Sequence, residues 1–298
     1  MTRHHHWTRR RFLRAGAAAL AGGLGVGLYT WRIEPHWIQL THRDLPIAGL
    51  PRGLAGATLV QLSDLHVGPR VDSGYLIRVL KTVAALAPEI VVFTGDFISY
   101  NGLRQLDELG RVLEHWPLGR LATVAIFGNH DYGVSWRQPE VAEDVAKRAR
   151  DAGITVLRNQ TLEVRGLELA GLDDLWSTNF HPVPVLAGLQ PDRPTLVLSH
   201  NPDTVDRPIW SDYRGWILSG HTHGGQCKPP FLPPPILPIR NPAYAAGEVA
   251  LSGDRRLYVN RGVGHLTRVR FNVRPEVTIF TLTRAASLKG FGGRNAMG

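Results

Sequence analysis

The chain is poor in sulfur, in acid and in long apolar runs. Of its 298 residues one is cysteine, Cys227. A single thiol excludes a disulfide framework, a cysteine-based zinc site and an iron–sulfur cluster. Charged residues make up 20% and hydrophobic residues 43%, which excludes a disordered chain and a coiled coil. One uncharged stretch near the start is too little for a multi-span membrane protein. A long basic run is also missing. The 34 Lys and Arg exceed the 25 Asp and Glu by nine, and Arg3, Arg9, Arg10, Arg11 and Arg14 account for five of the nine. The rest of the chain carries only +4, so no nucleic-acid partner is expected.

What is present begins with an address. Thr8-Arg9-Arg10-Arg11-Phe12-Leu13-Arg14 is similar to the twin-arginine export signal. Ala15 to Trp31 follows without a charge and is rich in Gly and Ala. Five Arg precede it, and only Arg32, offset by Glu34, follows closely, so the N-terminus should stay in the cytoplasm and the body cross the membrane. Residues 1–32 therefore read as a twin-arginine signal, retained as an anchor through 15–31. That implies the twin-arginine translocase as a partner. It also implies a periplasmic place or the outer face of the cytoplasmic membrane.

Beyond it, periodicity alternates. Apolar runs at Thr58–Ser63, Ile90–Thr94 and Ala122–Phe127 read as buried strands. Helical spacing over Leu76–Leu86, Leu103–Leu113 and Val141–Ala152 follows each in turn. This predicts a parallel sheet with crossover helices, and polar clusters just past the strands' carboxyl ends, where open α/β sheets place sites. A second, mixed or antiparallel set is expected from Ile154–Leu157, Leu162–Val164, Leu167–Leu172, Thr195–Ser199, Gly215–Ser219, Glu248–Leu251, Leu257–Val259 and Val277–Leu282. Residues 33–284 form the catalytic domain in this reading and 285–298 a flexible tail. Residues 228–242 hold seven Pro and must form a stiff loop. Its Phe231, Leu232, Ile236, Leu237 and Ile239 read first as packed structure, and second as a contact for a bilayer or acyl chain.

The strand ends collect Asp64, His66, Asp96, Asn129, His130, Asp131, His200, His221 and His223. Carboxylate and amide oxygens mixed with imidazoles suit manganese, iron or zinc, and the number suits two ions sharing a carboxylate. Alternation along a strand would aim Asp64 with His66, and His221 with His223, at one place. Gly95, Gly128 and Gly220 would free the backbone to turn beside the ions.

The order Asp-x-His, Gly-Asp, Gly-Asn-His-Asp, His, Gly-His-x-His resembles the calcineurin-like metallophosphoesterase superfamily. Gly220-His221-Thr222-His223-Gly224-Gly225-Gln226, Gly171-Leu172-Asp173-Asp174 and Asn260-Arg261-Gly262-Val263-Gly264 before Pro275-Glu276 are similar to its bacterial YkuE/YaeI-type branch. The resemblance implies an α/β, four-layer αββα sandwich of two packed mixed sheets flanked by helices. It implies two divalent ions, one held by Asp64, His66, Asp96 and His223 and the other by Asp96, Asn129, His200 and His221. It also implies His130 as the catalytic histidine, oriented by Asp131, and attack on phosphorus by a hydroxide bridging the ions.

One departure is informative. Phe97-Ile98-Ser99-Tyr100-Asn101 follows Gly95-Asp96 without an Arg, unlike in the protein Ser/Thr phosphatases of the superfamily, and this favours a phosphodiester. A membrane-associated UDP-2,3-diacylglucosamine-type pyrophosphatase acting on a lipid is the second reading. Tyr100, Asn101, Trp176, Asn201 and Arg261 are candidate substrate-side residues. Cys227 reads as a small packed residue.

Overall fold

The computed structural model describes residues 8–285. Arg3, the three histidines at 4–6 and the tail beyond Ala285 lie outside them. The elements in chain order are α1 (Arg9–Leu28), β1 (Gln39–Ala48), β2 (Thr58–Leu62), α2 (Ser73–Ala85), β3 (Ile90–Phe93), α3 (Leu103–Leu113), β4 (Ala122–Ala125), α4 (Pro139–Asp151) and β5 (Thr155–Val156). Then come β6 (Gln160–Val164), β7 (Leu167–Gly171), α5 (Val183–Gly188), β8 (Thr195–Leu198), β9 (Gly215–Ser219), β10 (Gly247–Ala250), β11 (Arg255–Val259) and β12 (Glu276–Ala285).

Two mixed sheets of six strands each, β1-β12-β2-β3-β4-β5 and β10-β11-β9-β8-β7-β6, make the two middle layers. One apolar core lies between them, built from residues such as Val92, Val124, Leu169, Leu198 and Phe280. A second lies between the first sheet and α2, α3 and α4, with Leu76, Leu80, Leu109, Val112 and Val145 facing inward at helical spacing. The outer face of the second sheet is covered by short α5, by 3-10 turns and by loops, packed around Val197, Trp210 and Ile217.

The structure corrects the division into a first-half and a second-half sheet. β12, from the C-terminal part of the chain, lies inside the first sheet, antiparallel to β2 and parallel to β1. β5 also belongs to the first sheet, beside β4. β1 escaped the sequence reading because it is a half-exposed edge strand carrying His42, Arg43, Asp44 and Pro46 rather than an apolar run.

Helix α1 buries none of its residues against the body. With the turns that continue it to His36, it is one helix long and apolar enough to cross a membrane. Its end is tied down. The Arg270 amide donates to Thr30 O at 3.0 Å, and the Val273 amide to the buried Glu34 carboxylate at 2.6 Å.

Candidate metal centre

The polar residues converge past the strand ends, by a different route from strand alternation. β2 stops at Leu62 and β9 at Ser219. Asp64, His66, Asp96, His221 and His223 all have positive φ, between 50° and 71°. This is a left-handed conformation that non-glycine residues avoid and that concentrates at functional sites. The parallel ladder running on past the strands fixes it: the Asp64 amide donates to Gly95 O and the His66 amide to Asp96 O. Gly128 and Gly220 serve chiefly by absence of bulk. A Cβ on Gly220 would strike Ser63 and the Asp64 carboxylate, and one on Gly128 would strike Asp96.

Three groups of donor atoms result, each within 4.8 Å: Asp64, His66 and His223; His66, Asp96 and His130; Asp96, His200 and His221. Asp96 joins the two ends, its Oδ2 lying 3.5 Å from His66 Nε2 and 3.2 Å from His200 Nε2. Asn129 is buried beside them, and neither its Oδ1 nor its Nδ2 has a hydrogen-bond partner. A buried amide left without partners is costly, so it needs one.

The histidines make the same demand. A carbonyl oxygen only accepts, so His200 Nδ1 carries its proton and donates to Thr94 O at 2.6 Å. His221 Nε2 likewise donates to Pro238 O at 3.1 Å. With both rings neutral, the inward His200 Nε2 and His221 Nδ1 would face each other as lone pairs 3.2 Å apart. Two lone pairs at that distance repel unless a cation, a proton or a metal ion, lies between them. At the other end His66 Nε2 and His223 Nε2 are 2.9 Å apart, with Ser99 Oγ on His66 Nδ1 at 3.0 Å. Outer partners of this kind fix the tautomer of metal-ligating histidines. The charges agree. Burial alone would discharge His200, yet the nearby Asp96 carboxylate holds its ring well above the usual range. Burial alone would raise Asp96, yet His200 and His130 hold it well below. The donor set fits divalent cations.

His130 differs from the other four rings. It is half-buried, its ring has no hydrogen-bond partner, and its edge meets His66 at 4.9 Å. Burial, then the charges of His66 and His200, push it down to about 4, so it is neutral near pH 7. Asp131 does not orient it. The Asp131 carboxylate accepts from the amides of Gly128 and Asp96 at 2.9 Å, Phe97 at 2.8 Å and Ile98 at 3.3 Å. It clamps the loop after β3 to the loop after β4.

Sequence reasoning named Trp176 but missed its partner Trp136, and it missed Arg270 and the Pro238 carbonyl. Trp136 stacks on Trp176 with centroids 4.9 Å apart, and Trp176 meets His221 edge-on at 4.6 Å, forming an aromatic wall beside His130. Arg270 is fully buried with Nη2 3.4 Å from His223 Nδ1, placing a fixed cation behind that ring. Pro238 O lies in the proline-rich loop. The signal for the wall was two Trp in polar loops; the partner carbonyls leave no trace in residue type.

Of the substrate-side candidates, only Trp176 is placed against the cluster by a contact. Arg261 is paired with buried Glu276, Nε to Oε2 at 2.9 Å. Asn201 caps the turn 202–206 by accepting from the Asp203 amide. Tyr100 packs against the helix-side core, and Asn101 is exposed. Cys227 is half-buried, and burial pushes its thiol up, away from the reactive thiolate.

Comparison with known proteins supports the same reading. The calcineurin-like phosphoesterase family matches residues 57–225. Phosphodiesterase YaeI of Escherichia coli is 35% identical over 282 residues, covering 92% of this chain and 99% of that one. Metallophosphoesterase YkuE of Bacillus subtilis is 36% identical over 298 residues, covering 92% and 97%. UDP-2,3-diacylglucosamine pyrophosphatase LpxG of Chlamydia muridarum is 28% identical over 318 residues, covering 88% and 95%. With its five motifs gathered around one cation-demanding cluster, the chain belongs to the calcineurin-like phosphoesterase family and is a hydrolase of phosphoric ester bonds.

Proposed function

We propose that this chain is a metal-dependent phosphodiesterase, exported by the twin-arginine route and held at the outer face of the cytoplasmic membrane by residues 15–31. The observation that carries the metal dependence is the pair of facing ring nitrogens of His200 and His221, which need a cation between them, beside the unpartnered Asn129 amide. Asp64, His66, Asp96 and His223 would hold one divalent ion, and Asp96, Asn129, His200 and His221 the other. Bound there, the ions supply Lewis-acid polarisation of phosphoryl oxygens and an acidic water.

The chain's own residues do the rest. Asp96 carries charge to both halves of the cluster and accepts from the His130 amide at 2.9 Å, which sets where the His130 ring stands. A neutral His130 keeps one N–H and one lone pair, enough to hold a departing oxygen by a hydrogen bond. Trp136 and Trp176 close one side of the mouth and limit water. The diester preference rests on the fixed cations. Arg270 lies behind His223, and the segment Phe97 to Asn101 directly after Gly95-Asp96 holds no arginine. A site with few fixed cations suits a singly charged diester better than a doubly charged monoester, and the Escherichia coli relative is named a phosphodiesterase.

The test is full-length protein in detergent, stripped of metal and reloaded with manganese, given a chromogenic phosphodiester and the matching monoester. Metal-dependent hydrolysis favouring the diester, lost to background in Asp96→Ala together with bound metal, is the expected result. Two bound ions and no hydrolysis of either compound would overturn the diesterase reading. The pyrophosphatase reading, which the likeness to the Chlamydia muridarum relative favours, would then take its place.

A further inference from the structure

Most apolar side chains of the proline-rich loop were expected to pack inward. The structure divides them. Leu237 and Ile239 are half-buried at the root, but Phe231 is fully exposed at 105%, Ile236 is 77% exposed and Leu232 58%. Three large apolar side chains presented together to water mark an interaction surface. The loop that bears them is stiff. Its prolines restrict the backbone, and Pro234 lies against Gly225, so its root is fixed on the metal motif. Pro238 O holds the His221 ring.

The loop's neighbours suggest what covers it. The Lys228 amide donates to Phe271 O at 2.8 Å, and the Arg270 amide to Thr30 O at 3.0 Å. The root of the loop and the end of α1 are thus bonded to consecutive residues of one segment. α1 is the helix whose surface the body leaves uncovered and whose length and composition suit a bilayer. Charge at this junction is one-sided. Lys228 and Arg32 are exposed, and Arg268 and Arg274 are half-buried. The nearby acid, Glu34, is buried and holds the Val273 amide. Apolar side chains rimmed by cations beside an apolar helix suit an anionic lipid surface. On the loop's other flank is a cavity of about 390 Å³, lined by Trp176, Pro238 and Ile239, by Arg207 and Arg240, and by Asp203 and Asp206, of which Asp203 is engaged by the Arg240 and Asn241 amides and Asp206 by the Tyr244 hydroxyl. Trp176 and Pro238 are also the residues that touch His221.

We propose that the loop 228–239 is an interfacial membrane contact beside α1, and that it presents phosphoesters carried on lipids to the metal centre through the Arg207–Arg240 cavity. Three things come together here: an exposed apolar tip, the end of an apolar helix, and a cavity that shares Trp176 and Pro238 with the contacts of His221. The substrate half rests on the phosphodiesterase reading; the membrane contact does not.

The test uses the full chain with Cys227→Ser, reconstituted in vesicles of phosphatidylglycerol and phosphatidylcholine. A nitroxide is attached at Phe231→Cys or, for comparison, at Leu103→Cys on α3. The label at 231 should collide more with oxygen than with a water-soluble nickel chelate, and the label at 103 the reverse. Equal nickel access at both sites overturns the contact.

Separately, Phe231→Ser/Ile236→Ser with manganese should hydrolyse a soluble nitrophenyl phosphodiester at the parent rate. It should hydrolyse a nitrophenyl phosphodiester of diacylglycerol held in the vesicles about tenfold more slowly. Equal losses on both compounds would make the loop part of the site rather than a membrane contact. An unchanged rate on the lipid compound would overturn the substrate class. If the parent protein hydrolyses neither, the diesterase reading and the substrate class fall together, and the nitroxide result still decides the contact.

Discussion

The loops after the first sheet and those after the second bring different chemistry to one centre. From the loops after β2, β3 and β4 come the oxygens of Asp64, Asp96 and Asn129, with the rings of His66 and His130. From β8 and β9 come imidazoles alone, His200, His221 and His223. The two kinds of donor need opposite support. A carboxylate is fixed by N–H groups and an imidazole by an acceptor on its far nitrogen. Here the support is largely exchanged between the sheets. Asp64 accepts from the His221 amide at 3.1 Å, and His200 donates to Thr94 O at the end of β3. Neither half of the centre is fully held without the other, so its geometry depends on the core between the sheets.

The largest effect should come from breaking the support that the first sheet provides for itself. Asp131→Ala leaves the amides of Asp96, Phe97, Ile98 and Gly128 buried without their acceptor. Urea unfolding of the metal-free protein should show a loss of about 3–5 kcal/mol. Asp131→Asn should lose less, because its amide oxygen still accepts. A midpoint for the alanine variant equal to the parent's would mean the clamp is idle.

A smaller effect separates the two halves. Ser99 Oγ is the outer partner of His66, and His200 and His221 rely on backbone carbonyls instead. Ser99→Ala should weaken metal binding by about 10–100-fold at the Asp64–His66–His223 end and leave the other end unchanged. Titration calorimetry with manganese would then resolve one weakened step and one parental step. Two equally weakened steps would show that the ends act as a unit.

The sequence exposes the helices and the strands of the second sheet more fully than the edges of the first sheet. Helices α2, α3 and α4 carry continuous apolar stripes, and β2, β3, β4, β8 and β9 are continuous apolar runs, because all are buried against two neighbours. β1 pairs its whole length with β12 but remains half-exposed, so no hydrophobic period marks it. The sheet to which β12 belongs is set by pairing with residues more than 200 positions away, and its own residues do not encode that choice. At the centre, residue type and spacing gather every donor. What they leave out are the left-handed backbone of Asp64 and His66, imposed by ladders running past the strands, and partners such as Thr94 O, which any residue could supply. Asp131 was misread because its neighbour in sequence, His130, is not its partner in space.

The smallest effect tests whether the two halves are also joined at the mouth. Trp136 comes from the turn after β4 on the first sheet and Trp176 from the loop after β7 on the second. Their rings stack at 21°, both half-buried, and form the aromatic contact that crosses the seam beside His130. Replacing either by Ala loses its own burial as well as the pair. Only a double-mutant cycle isolates the contact. Stacked aromatic pairs contribute about 0.5–1.5 kcal/mol beyond area burial, so the coupling in urea unfolding should fall in that range. The sharper reading comes from hydrolysis. If the wall holds the halves in register, each single variant should raise KM for the chromogenic diester and the double variant should raise it little further. Additive KM effects with no coupling in stability would mean that the two rings act separately, and that the sheets meet only through the metal ligands and the core beneath them.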